Sequence, residues 1–202
     1  MKKLSVLMLV AVVALFCLNA LAADAPKQPS PEEMQKMMEA WQKSATPGEH
    51  HQVFTQMAGD WTYHMKMWMD PKAPASESDG TGKNEVVFDG RYLSMSGDGM
   101  MMGMPFKGMG TLGYDNGKGE YQMTWIDNMG TMTTTAQGKP GADAKVITLT
   151  GKMDDPMTGE KDKAFKYVFK VTDKDHHVLE GWDLAGTPQE FKVMEITYTR
   201  KK

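Results

Sequence analysis

The spacing of hydrophobic residues changes once along this chain. Between Met34 and Met57 they recur every three or four positions, and from Trp61 onward they recur every second. In the first region Met34, Met37, Met38 and Trp41 share one face of a helix, and Val53, Phe54 and Met57 one face of another. Both helices have a start written ahead of them. Ser30-Pro31-Glu32-Glu33 and Thr46-Pro47-Gly48-Glu49 each place a hydroxyl cap first, then proline, then a glutamate able to return to the cap amide. Both stripes are expected to dock on the domain that follows.

Period two begins with the segment after Gly59. Trp61, Tyr63, Met65, Met67 and Met69 alternate with Thr62, His64, Lys66, Trp68 and Asp70, so the first set is expected to face inward. Further strands are predicted near 82–88, 91–96, 106–114, 120–127, 131–137, 145–152, 164–171, 177–184 and 190–200. Turn sequences such as Asp89-Gly90, Asp115-Asn116-Gly117 and Lys139-Pro140-Gly141 separate them. About ten short strands with hairpin-length links and no helical crossover predict an all-β fold. Closing the meander on itself removes both exposed edges, so the expected architecture is an antiparallel up-and-down barrel preceded by two short helices. A two-sheet sandwich is the alternative.

The first residues read as a processing signal. Lys2 and Lys3 precede the apolar run Leu4 to Leu18, and Ala20-Leu21-Ala22 offers a small-x-small cleavage pattern. The domain reading is therefore a signal peptide over 1–22, a flexible tether over 23–30, helices over 31–58 and a barrel over 59–202. The one cysteine, Cys17, falls inside the leader, so the mature chain has no thiol for a disulfide, a zinc site or a nucleophile. A periplasmic or secreted protein fits both features. The formal net charge of −3 becomes more negative once Lys2 and Lys3 are removed. With no basic block beyond Arg200-Lys201-Lys202, nucleic acid is excluded as the partner class. No second segment is apolar enough to span a membrane after cleavage, and nothing in the sequence specifies an oligomeric state.

Gly59-Asp60-Trp61 at the head of the first strand, behind a short helix, resembles the Gly-x-Trp signature of calycin barrels: lipocalins, fatty-acid-binding proteins and nitrobindin-like haem binders. That resemblance implies that Trp61 plugs one end and that Arg200 lies over its ring. A closer resemblance covers nearly the whole mature chain. Phe88-Asp89-Gly90-Arg91-Tyr92-Leu93, Met104-Pro105-Phe106-Lys107-Gly108, Gly113-Tyr114-Asp115, Trp125-Ile126-Asp127, Asp155-Pro156-Met157-Thr158-Gly159 and Met194-Glu195-Ile196-Thr197-Tyr198-Thr199-Arg200 are similar to the bacterial domain-of-unknown-function family fifteen-seventy-nine. It implies a calycin-like barrel and brings no activity or cofactor with it.

Candidate chemistry is sparse. The chain has 21 methionines, and the stretch Met95–Gly110 holds six of them with five glycines. Thioether sulfur suits Cu(I). If the backbone is extended, Met100, Met102 and Met104 share one face, and Met109 joins them as a soft-metal candidate. Methionine is also an adaptable apolar filler, and the alternative reading makes this stretch the pliable, sulfur-lined rim of a pocket. By parity, Trp61, Tyr63, Met65, Met67, Phe106, Tyr114 and Trp125 line the interior. Asp127 and Arg91 would be the polar groups that orient a small apolar or amphipathic molecule.

The pairs His50/His51 and His176/His177 sit near a helix start and a turn and are expected in solvent, and His64 faces outward. Haem ligation by analogy with nitrobindin-like barrels would need an inward late-strand histidine, for which His177 is the candidate. Asp154-Asp155 reads as ordinary turn chemistry. No nucleophile elbow, zincin motif or phosphate loop occurs. A non-catalytic binding barrel is thus the first expectation, a methionine soft-metal protein the second, and an enzyme built on Arg91, Tyr114 and Asp127 the third.

Overall fold

The computed structural model describes residues 28–202; the expected leader, with Cys17, and most of the expected tether lie outside them. The chain divides into two units, one ending at Gln42 and one running Lys43–Lys202. Helix α1 (Pro31–Ala45) begins with the capping box its sequence predicts. Glu33 N donates to Ser30 Oγ at 3.2 Å and Ser30 N to Glu33 Oε2 at 2.7 Å. The helix buries none of its residues, and Met34, Met37, Met38 and Trp41 are exposed. Pairs one turn apart, Lys36 with Glu32 and Gln35 with Glu39, support the helix from its own polar side.

The second helical start is displaced from the expected one. Gly48, not Thr46, is the cap, and its N–H donates to His51 Nδ1 at 3.0 Å. A 3-10 turn (Glu49–His51) then leads into α2 (Gln52–Met57). Pro47 precedes the cap, so the place expected of a glutamate falls to His51, which is buried as a result rather than solvated. Val53, Phe54 and Met57 of α2 are buried as the stripe predicts.

Ten strands follow: β1 (Gly59–Met67), β2 (Ser76–Val87), β3 (Tyr92–Met101), β4 (Met104–Asp115), β5 (Glu120–Asp127), β6 (Thr134–Gly138), β7 (Val146–Met153), β8 (Lys163–Val171), β9 (His176–Asp183) and β10 (Phe191–Arg200). Each pairs antiparallel with its sequence neighbours, and β1 pairs with both β2 and β10, so the sheet is a closed barrel and not a sandwich. Two expected details are corrected. β1 stops at Met67, because Asp70-Pro71 turns the chain, and Met69 is exposed beyond it rather than inward. The Met100–Met104 segment is not extended throughout. It forms the β3–β4 hairpin, with Met102 at φ 52° and Gly103 at φ 79° in the turn and Met101 opposite Met104.

The lower end of the barrel, where α2 enters, is closed by one set of contacts. The Trp61 ring is fully buried, and its Nε1 donates to Met57 O at 3.1 Å; Asn84 Nδ2 donates to the same carbonyl at 3.0 Å. Arg200, opposite Trp61 in the β1–β10 register, lays its guanidinium 4.1 Å from the ring centroid. It also donates to three carbonyls: Ala58 O (2.6 Å), Lys174 O (2.7 Å) and Gln56 O (3.0 Å). Gly59, at φ 131°, permits this approach, since a Cβ there would overlap an Arg200 nitrogen. Replacing Arg200 with leucine removes the cation and leaves three carbonyls without their donor. The expected loss is about 2–4 kcal/mol of unfolding free energy in urea titration, and an unchanged midpoint would show that the ends of the sheet close without this residue.

Candidate functional site

Register places the side chains of the lumen. On β1, Trp61, Tyr63, Met65 and Met67 face inward, as the alternation predicts, and Met65 and Tyr63 pack with Ile196, Met101, Met194 and Tyr198. Across the barrel Leu112, Met123, Leu149, Phe165 and Phe169 form the larger cluster with Phe54 and Met57, and Trp125 packs against it. Tyr63 lies over the neighbouring strands β2 and β3 where both carry glycine. Its hydroxyl occupies the space that a Cβ at Gly80 or Gly99 would fill. Trp125 does the same over Gly108. Without side chains at these positions two large rings fit inside one closed sheet.

The nine expected ligand-lining residues do not all meet. Tyr63, Met65, Met67, Phe106, Trp125 and Asp127 face the lumen above the Trp61 floor. Tyr114 lies at the closed end, 4.5 Å from the His50 ring and 5.0 Å from Tyr121 between centroids. Tyr121 donates to His50 O at 3.1 Å, and burial pushes its hydroxyl up to about 12. Arg91 stands in the turn after β2, donating to Phe88 O at 3.0 Å. Arg91 and Asp127 thus occupy opposite ends of the barrel, and the constellation expected of an enzyme does not assemble.

The soft-metal arrangement does not assemble either. Because the chain turns at Met102-Gly103, Met100 and Met104 project to opposite faces, and Met109 lies outward opposite Ile126. All four are exposed. Their distribution is informative in another way. Met69, Met102, Met129, Met132 and Met157, from four of the five loops at the upper end, are exposed together with Met104 beside them. The loops between strands at the closed end contain no methionine.

Several side chains of the site were not anticipated. At the upper end Lys163 Nζ lies 3.0 Å from Asp155 Oδ2 and 2.5 Å from Asp183 Oδ2, each side chain less than a fifth exposed. Burial works against the lysine charge, but the bonds to Asp183 and Asp155 outweigh it and hold its pKa above the ordinary value. The Lys163 bond and the backbone N–H of Met157 hold the Asp155 carboxyl down at about 2. Asp127 sits on the same rim and accepts from Trp125 Nε1 (3.2 Å) and Met129 N (2.9 Å). Strand parity carried a signal for the ion group, since Lys163 shares the inward parity of Phe165, Tyr167 and Phe169.

The interior also holds polar atoms without protein partners. His177 is inward and buried, correcting the solvated expectation, because it pairs across the sheet with Tyr198 and Val171. Its ring stacks on Tyr198 at 4.2 Å and meets the edge of Trp61 at 4.3 Å. Protein encloses the ring, so it does not fit the role of haem ligand. Burial, then the Arg200 charge, pushes its pKa down to about 3. Among the described residues its Nδ1 is the one fully buried side-chain nitrogen or oxygen with no partner. Among the described residues none hydrogen-bonds the hydroxyls of Tyr63, Tyr167 and Tyr198, whose largest influence is burial. Burial raises all three pKa values; Tyr167, which also feels the Asp127 charge, reaches about 12.

Two depressions lie on the outer surface, one of which touches Asp127. One, of about 600 Å³, lies beside Arg200, Lys145 and Asp173 at the closed end. The other, of about 580 Å³, runs over Lys83, Asp98 and Lys107 on the outer wall. Among the described residues no three His, Cys, Asp or Glu side chains converge as a metal site.

A closed ten-stranded meander sealed by the Gly59–Trp61 strand head and a terminal arginine places this protein in the class of antiparallel up-and-down β-barrels. The family follows from its sequence: residues 46–200 match the family described as protein of unknown function (DUF1579), and the chain belongs to it. The crystal structure of Rv2717c from M. tuberculosis is similar in fold, with a TM-score of 0.54 at 13% identity over 78% of this chain and 100% of that one. At that identity the likeness concerns the fold alone. No curated protein matches the chain.

Neutral His177 makes stability depend on pH. The unfolded chain takes up this proton near the ordinary 6.5, while the folded protein resists it to about 3. The contribution is full above 6.5 and is lost as pH falls toward 3, at roughly 1.4 kcal/mol per pH unit. His51, also pushed down by burial, acts in the same direction. Urea titrations between about pH 6.5 and 4.5 should show a shallower slope for His177→Phe than for the parent; equal slopes would mean that His177 is protonated in the fold.

Proposed function

We propose that this protein is an exported, non-catalytic barrel that binds a small apolar or amphipathic molecule in its lumen. The observation that carries the reading is the Tyr63 hydroxyl, which has no protein partner although the residue is only 6% exposed. Buried hydroxyls are ordinarily satisfied, and one left unpartnered inside a barrel is suited to a guest. The walls around it, Met65, Met67, Met101 and Met194, are unbranched and polarizable, so they adapt to a ligand's shape. The exposed methionines of the upper loops offer an apolar entrance on the same side. Export is supported by Lys2-Lys3, the apolar run to Leu18 and the Ala20-Leu21-Ala22 site. Among the described residues no helix is long and apolar enough to cross a membrane.

The test is titration with the uncharged fluorophore N-phenylnaphthylamine. The expected result is saturable one-to-one binding with enhanced, blue-shifted emission. In Met101→Trp, which fills the lumen, affinity should fall at least about tenfold while the thermal transition is retained. Absence of saturable binding, or unchanged affinity in the filled variant, would overturn the reading.

A further inference from the structure

The charges at the upper rim point to one class of guest. Lys163 is shared between Asp155 and Asp183, so one ammonium faces two carboxylates. The third carboxylate, Asp127, has only neutral donors, the Trp125 indole N–H and the Met129 amide. The inward rim therefore carries three negative groups against one positive. It opens on a lumen whose walls are sulfur and aromatic carbon, with the unpartnered Tyr63 hydroxyl buried inside.

We infer that the lumen selects cationic amphiphiles, with the cationic head held among Asp127, Asp155, Asp183 and the Trp125 face and the apolar tail running down toward Tyr63 and Met65. This rests on the lumenal binding reading and names its substrate class. An anionic head at the same place would meet uncompensated carboxylates in a partly desolvated rim, where like charges are least screened. An organic cation fits better than a metal ion, because among the described residues no three carboxylates or imidazoles converge on one point. Trp125 adds an aromatic face to the carboxylates, the combination that attracts alkylammonium groups. Tyr167 ties the rim to the interior. Its hydroxyl lies within the field of Asp127, on the inward face that Lys163 shares.

The test is calorimetric titration of the full mature chain, below micelle-forming concentrations, with dodecyltrimethylammonium, dodecyl sulfate and uncharged dodecyl maltoside. The expected order is the cation tightest, by at least about tenfold over the sulfate, with the preference shrinking as salt is added. Asp127→Asn keeps the shape of the rim and should narrow that preference to within about threefold. Equal or tighter binding of dodecyl sulfate would overturn the inference while leaving the lumenal reading in place. Binding of none of the three probes would overturn both.

Discussion

One side chain holds the two ends of the sheet to each other and to the helix that enters it. The Arg200 guanidinium covers the Trp61 ring and binds carbonyls from α2, from the residue joining it to β1, and from the β8–β9 turn. A cation stacked on an indole, with its N–H groups spent on backbone oxygens, gives closure both attraction and direction. Once the sheet is closed the interior has a fixed volume, and every inward ring must find room. The sequence meets that demand with glycines opposite Tyr63 and Trp125 rather than with a wider barrel.

The lumen is graded along its axis. Near the closed end Phe54, Leu93, Leu112 and Leu149 leave almost no exposed surface, and His177 is held neutral between two aromatic rings. Higher up the lining passes to methionine, tyrosine hydroxyls and finally carboxylates around Lys163. The lower half supplies rigidity, since dense packing does not rearrange cheaply. The upper half supplies adaptable walls and charge. The dense packing thus lies at the closed end, and the adaptable and charged side chains lie toward the other.

Much of this was legible because strand side chains alternate with a period of two. The inward parity of Tyr63, Met65, Phe165 and Asp127 follows from Trp61 and from the aromatic runs alone. Parity stops being informative where the chain turns without a strong turn signal. The β3–β4 hairpin reverses at Met102-Gly103, and Met100 and Met104 would share a face only on an extended backbone, so the turn sends them apart. Beside turns, polarity misled: His177 was assigned to solvent although its register partner Val171 is core. Lys163 and Asp183 pass for surface charges because only their meeting across two strands makes them a pair. Arg91 and Asp127 were joined by chemistry, whereas topology sends them to opposite ends.

The central claim is that accessible space remains inside the closed sheet beside Tyr63. A crystal structure of the protein under xenon pressure tests it most directly, because xenon enters apolar cavities without needing a matched ligand. The account predicts xenon or ordered solvent within contact of the Tyr63 ring, bounded by Met65, Met101 and Met194. Electron density in which those methionines close over the Tyr63 hydroxyl, with neither xenon nor solvent inside, would contradict it.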